Sequence, residues 1–378
     1  MRAARFVPIV LALMPATAVL GLGCEEKKAP EAGSRRDAGA DKYLAADPKL
    51  ARALQSAEAA SAATDNGPPA QGVFSAGAAD QRHPHGMPTR VDLAAPGADP
   101  RIAWARTGAT PGDLARVRGY GPAILELGMQ MGRTATPTID FSLVLGPSKK
   151  AEGASGWLVA EVRKAVPAKE QLGQLPPGSE RDIASMEGTN LRVQLTPDGR
   201  AGDEQVQLGK ATPPELDRIA QNAGDALLLF TVPYPPDPVG VGGQWIAETR
   251  MEWMGIDVLA YRAYKVKAIE GDRMVLSLAV QAYAANTDTP LQGVPKGATL
   301  EQFDAEAQGE CELVRGELLP SKGALQERMT LFFQTTAEEP SAAQPEQGNQ
   351  PQRGMMVAKL QGEATLLRGD DLRAASAR

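Results

Sequence analysis

Histidine is almost missing from this chain: two of 378 residues, His83 and His85, both inside "RHPHG". With no imidazole beyond residue 85, a serine or cysteine nucleophile later in the chain would have to take its general base from that stretch, so Ser-His and Cys-His hydrolysis are poorly served. His-Pro-His offers two imidazoles without a fixed third ligand, which is a poor metal site, and reads as a solvated segment. Cysteine is equally scarce, with Cys24 and Cys311 alone. If Cys24 is modified, no intramolecular disulfide is expected; the alternative bridge, Cys24 to Cys311, would tie a loose terminus to a strand. Aromatic residues make up 4% of the chain and the formal net charge is −6. No basic stripe is interleaved with stacking side chains, so nucleic acid is excluded as a partner. Zinc-protease, nucleophile-elbow, EF-hand and Walker patterns are absent, and no cofactor is expected.

The N-terminus is where the chain is most explicit. Arg2 and Arg5 precede an apolar run, Phe6 to Leu22, that is short and broken by proline and glycine; it reads as an export signal over residues 1–23 and not as a membrane span. The run closes on Gly23-Cys24, which resembles the substrates of lipoprotein signal peptidase. That resemblance implies lipid on Cys24, the first residue of the mature chain, and contact with a membrane through it. The alternative is ordinary cleavage near "PATA", residues 15–18, with an unmodified thiol.

Residues 24–100 are rich in Ala, Gly, Pro, Ser and charge and poor in large apolar side chains, so they read as a flexible tether that cannot bury enough surface to offset its entropy. A chain of that length spans about 50 Å root mean square. A short helix around residues 47–63 would be marginal alone.

From residue 101 to 378 the dominant signal is period two. "PTIDFSLVLG" sets Ile139, Phe141, Leu143 and Leu145 on one face, and "TNLRVQLTPDGR" does so with Leu191, Val193 and Leu195 before a turn at 197–199. "WIAETRMEWMG" opposes Trp245, Ala247, Thr249, Met251 and Trp253 to Ile246, Glu248, Arg250 and Glu252. Two further strands meet at Glu270-Gly271-Asp272, a hairpin signal. Later strands are expected in "ECELVRGELLP", "QERMTLFFQTT" and "GMMVAKLQGEATLL", and residues 336–354 lack any apolar period. One helix is expected over 212–229, opened by Thr212, two prolines and Glu215 in a capping-box pattern, with Leu216, Ile219, Ala220, Ala223 and Leu227 as its stripe. The expected fold is mainly β: a curved antiparallel sheet, half-barrel or sandwich-like, with one wet face, packed on this central helix. Two similar halves, about 101–210 and 231–378, would flank it.

"PYPPDPVGVGGQW" raises the question of a phosphate loop. Its prolines exclude a central strand, Gly240, Gly242 and Gly243 permit a sharp bend, and Trp245 opens a strand where a phosphate site would need a helix N-terminus. Pro238, Gly240, Gly242, Gly243 and Trp245 are therefore read as a structural turn. This Pro-Val-Gly-Val-Gly-x-x-Trp element, with "GECELVRGELLPSKG", resembles a domain family of unknown function found in secreted bacterial lipoproteins. The resemblance implies an exported β-rich domain and supplies no catalytic residues. Glu310 and Glu312, with Glu317 further along, are the carboxylates closest to a glycosidase-like pair, though alternating glutamates on a strand usually mark its wet face; Cys311 between them faces the core. Trp157, Trp245 and Trp253 are expected in the core, with Trp104 at its start. The leading expectation is a non-enzymatic cell-envelope lipoprotein whose domain binds or scaffolds an envelope protein or other ligand. A carrier of lipid or another apolar ligand, by analogy with half-barrel periplasmic carriers, comes second, and a carboxylate-based hydrolase third.

Overall fold

The computed structural model describes residues 69–104, 113–119, 124–127, 132–135, 138–147, 156–169, 172, 175–195, 201–288, 294, 297–317, 319–336 and 353–376, with only the backbone described over 113–135 and in parts of other strands. Among them run fourteen strands. The first eight are β1 Arg90–Ala95, β2 Asp113–Gly119, β3 Ile124–Leu127, β4 Gly132–Ala135, β5 Ile139–Pro147, β6 Gly156–Pro167, β7 Asn190–Leu195 and β8 Ala201–Gln207. Six longer ones follow: β9 Gln244–Trp253, β10 Ile256–Glu270, β11 Arg273–Ala284, β12 Thr299–Val314, β13 Lys322–Thr336 and β14 Arg353–Arg368.

They form a mainly antiparallel sheet in the order β1-β9-β10-β11-β12-β13-β14-β2-β5-β6-β7-β8, with β3 and β4 branching from β14. The two expected halves are thus one sheet, welded where the end of β14 pairs with β2, Thr365 opposite Arg118. The sheet curls until β8, at one end of the order, lies beside β9, next to the other end, and it stays open because β8 and β1 do not pair. The Gly271-Asp272 hairpin is as read, Glu270 opposite Arg273, with Gly271 at a positive φ of 59°.

Inside the curl lies the central helix, Asp217–Phe230. It begins five residues later than its sequence pattern predicts. No side chain caps the start: the Thr212 hydroxyl is turned to the Ser185 carbonyl, to which it donates at 2.8 Å, and a 3-10 turn, Pro214–Leu216, leads in. Ala220, Ala223 and Leu227 face the sheet as expected. From Ala223 onward every residue is buried, because strands from different parts of the sheet lie against the helix: β2, β7, β8 and β9, with Phe230 reaching Gly323 of β13. A fully buried leucine or phenylalanine contributes about 1.5–3 kcal/mol, so Leu227 to Phe230 form a large part of the core.

Two sequence expectations fail at the N-terminal side. Residues 69–100 belong to the fold, not to the tether; residues 24–68 lie outside the described residues. Val73 bridges Ala284, β1 pairs with β9, and a short helix, Ala78–Arg82, lies across the outer face of β9–β11. Phe74 and Ala79 cover Leu259, Tyr261 and Tyr283 there. Few large apolar residues suffice because they land on a face already apolar. That face is accordingly dry where alternation predicts water: Ile246, Glu248 and Arg250 are covered. The side chains of Trp157 and Leu195 and the turn at 197–199 lie outside the described residues.

Gly323 on β13 admits the helix end: a Cβ there would sit 2.4 Å from Phe230 Cε1. With that ring fully buried and unable to yield, Gly323→Ala is expected to lower the unfolding free energy by about 1–3 kcal/mol in urea denaturation; unchanged stability would mean the helix end is loosely seated.

Candidate functional site

The proline-glycine element 238–245 is a junction of backbone with backbone. Val239 and Ile102 exchange hydrogen bonds of 2.9 and 3.1 Å, Gly240 N–H donates to Pro96 O at 2.8 Å, and Ala98 N–H donates to Val241 O at 2.9 Å. A Cβ at Gly240 would stand 1.8 Å from the Ala98 carbonyl oxygen, which is why glycine is required there. Gly242, at φ 81°, turns the chain into β9. Pro238 leads into the bridge, and Trp245 follows fully buried, its indole donating to Pro233 O at 2.8 Å and stacking on Tyr264 at 5.2 Å. The space a phosphate would need is filled by the Pro96–Ile102 segment. Cys24 lies outside the described residues.

The carboxylates singled out by sequence do not converge. Glu310 pairs with Lys267 and Glu312 with Arg273 on the outer face, while Glu317 meets Arg368 at 3.5 Å. Cys311 is buried on the inner face opposite Leu276.

His83 and His85, expected in a solvated segment, instead belong to a polar seam under the strap formed by residues 74–90. His83 is 0% exposed; its Nε2 lies 3.1 Å from Met87 O and its Nδ1 lies 3.6 Å from Glu248 Oε1. Arg82 reaches Glu248 at 3.1 Å and Arg90 does so at 3.8 Å. Beside them Arg250 clasps Asp257 through two bonds, 2.5 and 2.6 Å, and reaches Asp80 at 3.2 Å. His85, largely exposed, lies 3.2 Å from Asp257. For Glu248, burial alone would raise the carboxyl, but the neighbouring His83 ring, the hydrogen bonds from Arg82 and the charges of Arg82 and Arg90 outweigh it and hold the group below its ordinary value of 4.5.

A second polar set is internal and was not singled out by sequence. Arg262, at an inward position of β10 and 0% exposed, donates to Leu228 O at 3.2 Å, Thr231 O at 2.9 Å and Thr249 Oγ1 at 2.9 Å. The guanidinium thus satisfies the last carbonyls of the central helix and meets the negative end of its dipole. Asp225 of the helix accepts the Met254 N–H at 2.8 Å, and Glu327 of β13 accepts the Trp253 indole at 3.0 Å. Arg218 donates to Met254 O at 2.5 Å. The sequence signal for this set was available: Arg262, Asp225 and Glu327 are the charged residues standing on otherwise apolar faces of their elements.

These sets hold structure; neither joins a nucleophile to a base. Among the described residues no three His, Cys, Asp or Glu side chains gather to hold a metal ion, and no helix is long and apolar enough to cross a membrane. No family model and no curated protein matches the chain.

Because the folded-state pKa of Glu248 is depressed, its contribution is fully present above about pH 4.5 and is lost as pH falls through the lower folded value. Glu248→Gln is expected to cost about 1–2 kcal/mol at pH 7 by removing the carboxylate that Arg82 and Arg90 share. It should also flatten the acid limb of stability measured by urea unfolding from pH 7 to 3. An acid limb identical to the wild type would show that Glu248 does not fasten the strap.

Proposed function

We propose that this protein is a non-enzymatic lipoprotein of the cell envelope, exported, lipidated on Cys24 and held to a membrane by that lipid, whose β-rich domain acts as a binding or scaffolding module. The observation that carries the reading is the N-terminal block itself: Arg2 and Arg5, the apolar Phe6–Leu22 run and the closing Gly23-Cys24. The likeness of the Pro238–Trp245 element to secreted lipoproteins supports the same compartment. Since the fold already includes residue 69, the tether is confined to residues before it, and its reach is shorter than that of a linker running to residue 100.

The central helix supports binding at a surface over carriage of an apolar ligand. A half-barrel carrier keeps its concave side for cargo, whereas here Leu227, Leu229 and Phe230 occupy that side and are buried against the strands. The pairing of Glu310 and Glu312 with Lys267 and Arg273 supports binding over hydrolysis, since a glycosidase pair needs two carboxyl groups facing one substrate.

Metabolic labelling with a fatty acid tests the anchor. The mature wild-type protein is expected to take up label and Cys24→Ala to lose it; equal labelling, or none in either, contradicts the reading. Native mass spectrometry of protein purified from its own envelope separates the two binding readings: the bare domain mass is expected, and a stoichiometric co-purifying lipid would favour the carrier.

A further inference from the structure

The chain that leaves the central helix, residues 231–243, meets the N-terminal strap and its continuation to Trp104 at three separate places. At the far end the meeting is a ladder, in which Gly240 N–H donates to Pro96 O, Ala98 N–H to Val241 O, and Ile102 and Val239 to each other. In the middle the ring of Trp104 lies on Tyr234, with centroids 6.5 Å apart and planes 23° from parallel, and both residues are buried. At the near end the contact runs through side chains of the sheet. Arg262 donates to Thr231 O and to Thr249 Oγ1, each at 2.9 Å, and Thr249 Oγ1 lies 2.9 Å from Thr89 Oγ1 of the strap.

This exit segment has little means of holding itself. Pro233, Pro235, Pro236 and Pro238 supply no backbone N–H, so it cannot build a ladder of its own and depends on its neighbours. The chain of side chains at its near end is directional: a guanidinium only donates, so Thr249 accepts from Arg262 and keeps its own proton for Thr89. Thr89, Thr249, Arg262 and Thr231 are all fully buried, and water is not at hand to replace a lost link. Removing the Thr89 hydroxyl then leaves Thr249 short of a partner, and Thr249 is the side chain that helps to aim Arg262 at the helix end.

We propose that the strap and the exit of the central helix form one latch, seated together and released together, so that whatever lifts the strap also frees the chain between the helix and β9. The ladder, the Trp104–Tyr234 stack and the Thr89–Thr249–Arg262 chain fasten the exit segment at both ends and in the middle, and each has one side in the strap or its continuation. Lifting the strap breaks all three. Coupling of this kind is reciprocal: a molecule that binds the seated strap tightens the exit, and one that displaces it loosens the exit by the same factor.

Hydrogen exchange of the full chain in low, increasing urea tests the latch through amides bonded within one part or to the sheet. Phe74 N–H, held by Ala284 O, and His83 N–H, held by Ala79 O, report the strap; Thr231 N–H, held by Leu227 O and Leu228 O, reports the exit. The three should share one opening free energy and one urea dependence, both smaller than those of β5 and β6 amides, which report global unfolding. Thr89→Val should speed all three by the same factor, roughly five-fold for one lost hydrogen bond, and Thr89→Ser, which keeps the hydroxyl, should restore the wild-type rates. Tyr234→Leu, a change in the exit alone, should speed Phe74 and His83 in return. Separate openings for strap and exit, a merger of both with global unfolding, or a Thr231 rate that Thr89→Val leaves unchanged would each overturn the proposal. If Thr89→Val does not fold, Tyr234→Leu decides alone: strap amides that keep their wild-type rates would overturn it equally.

Discussion

A helix that is buried on every side in its last two turns cannot end in water, and its carbonyls cannot end in hydrocarbon. Those two conditions govern this molecule. Leu227 to Phe230 require walls all round, which a flat sheet with one dry face cannot provide, and so the strands curl until β8 comes beside β9. The buried end then leaves carbonyl groups that need donors inside the core, and Arg262 supplies them, bonding Leu228 O and Thr231 O from an inward position on β10. A charge at that depth would be costly by itself. Here it is offset by the helix dipole, two carbonyls and a threonine hydroxyl, from a position on the same strand face as Tyr264 and Ala260.

The outer surface of the same strands follows from a different requirement. Leu259, Tyr261 and Tyr283 make β10 and β11 apolar on the face turned away from the helix, and the N-terminal strap exists to cover them. It arrives with few apolar residues, so polar groups complete the seal: Arg82, His83 and Arg90 around Glu248, and Asp80 beside the Arg250–Asp257 pair. The proline-glycine element serves the connection between strap and sheet. Gly240 lets the Pro96–Ile102 segment lie directly on the backbone that enters β9, and the strap and its host strand are fixed relative to each other by that contact.

Alternation made the long strands readable, since Ile139 to Leu145 and Trp245 to Trp253 keep period two without interruption, and the fold class followed from them. The strap was not readable for the opposite reason: over residues 69–100 composition argues for solvation, and the order comes mainly from a partner surface about 140 and more residues away in the chain. The start of the helix was misplaced because the capping-box pattern is local, whereas the Thr212 side chain is turned to Ser185 O by tertiary packing and a 3-10 turn precedes the helix. Glu310 and Glu312 drew notice as a close pair, yet spacing along one strand says only that two side chains share a face. The internal carboxyls, Asp225 and Glu327, come from elements a hundred residues apart, and nothing local announces that they meet at Trp253 and Met254.

Native-state hydrogen exchange addresses the central claim directly, because it ranks segments by the free energy needed to expose them. If the sheet is curled around the helix, amides of Ala223 to Phe230 should exchange only through global unfolding, at the same slow rate as those of β10 and β11. Exchange of the helix through a cheaper local opening, with β10 and β11 still protected, would mean that the helix is an appendage to the sheet and not the element that the sheet is built to enclose.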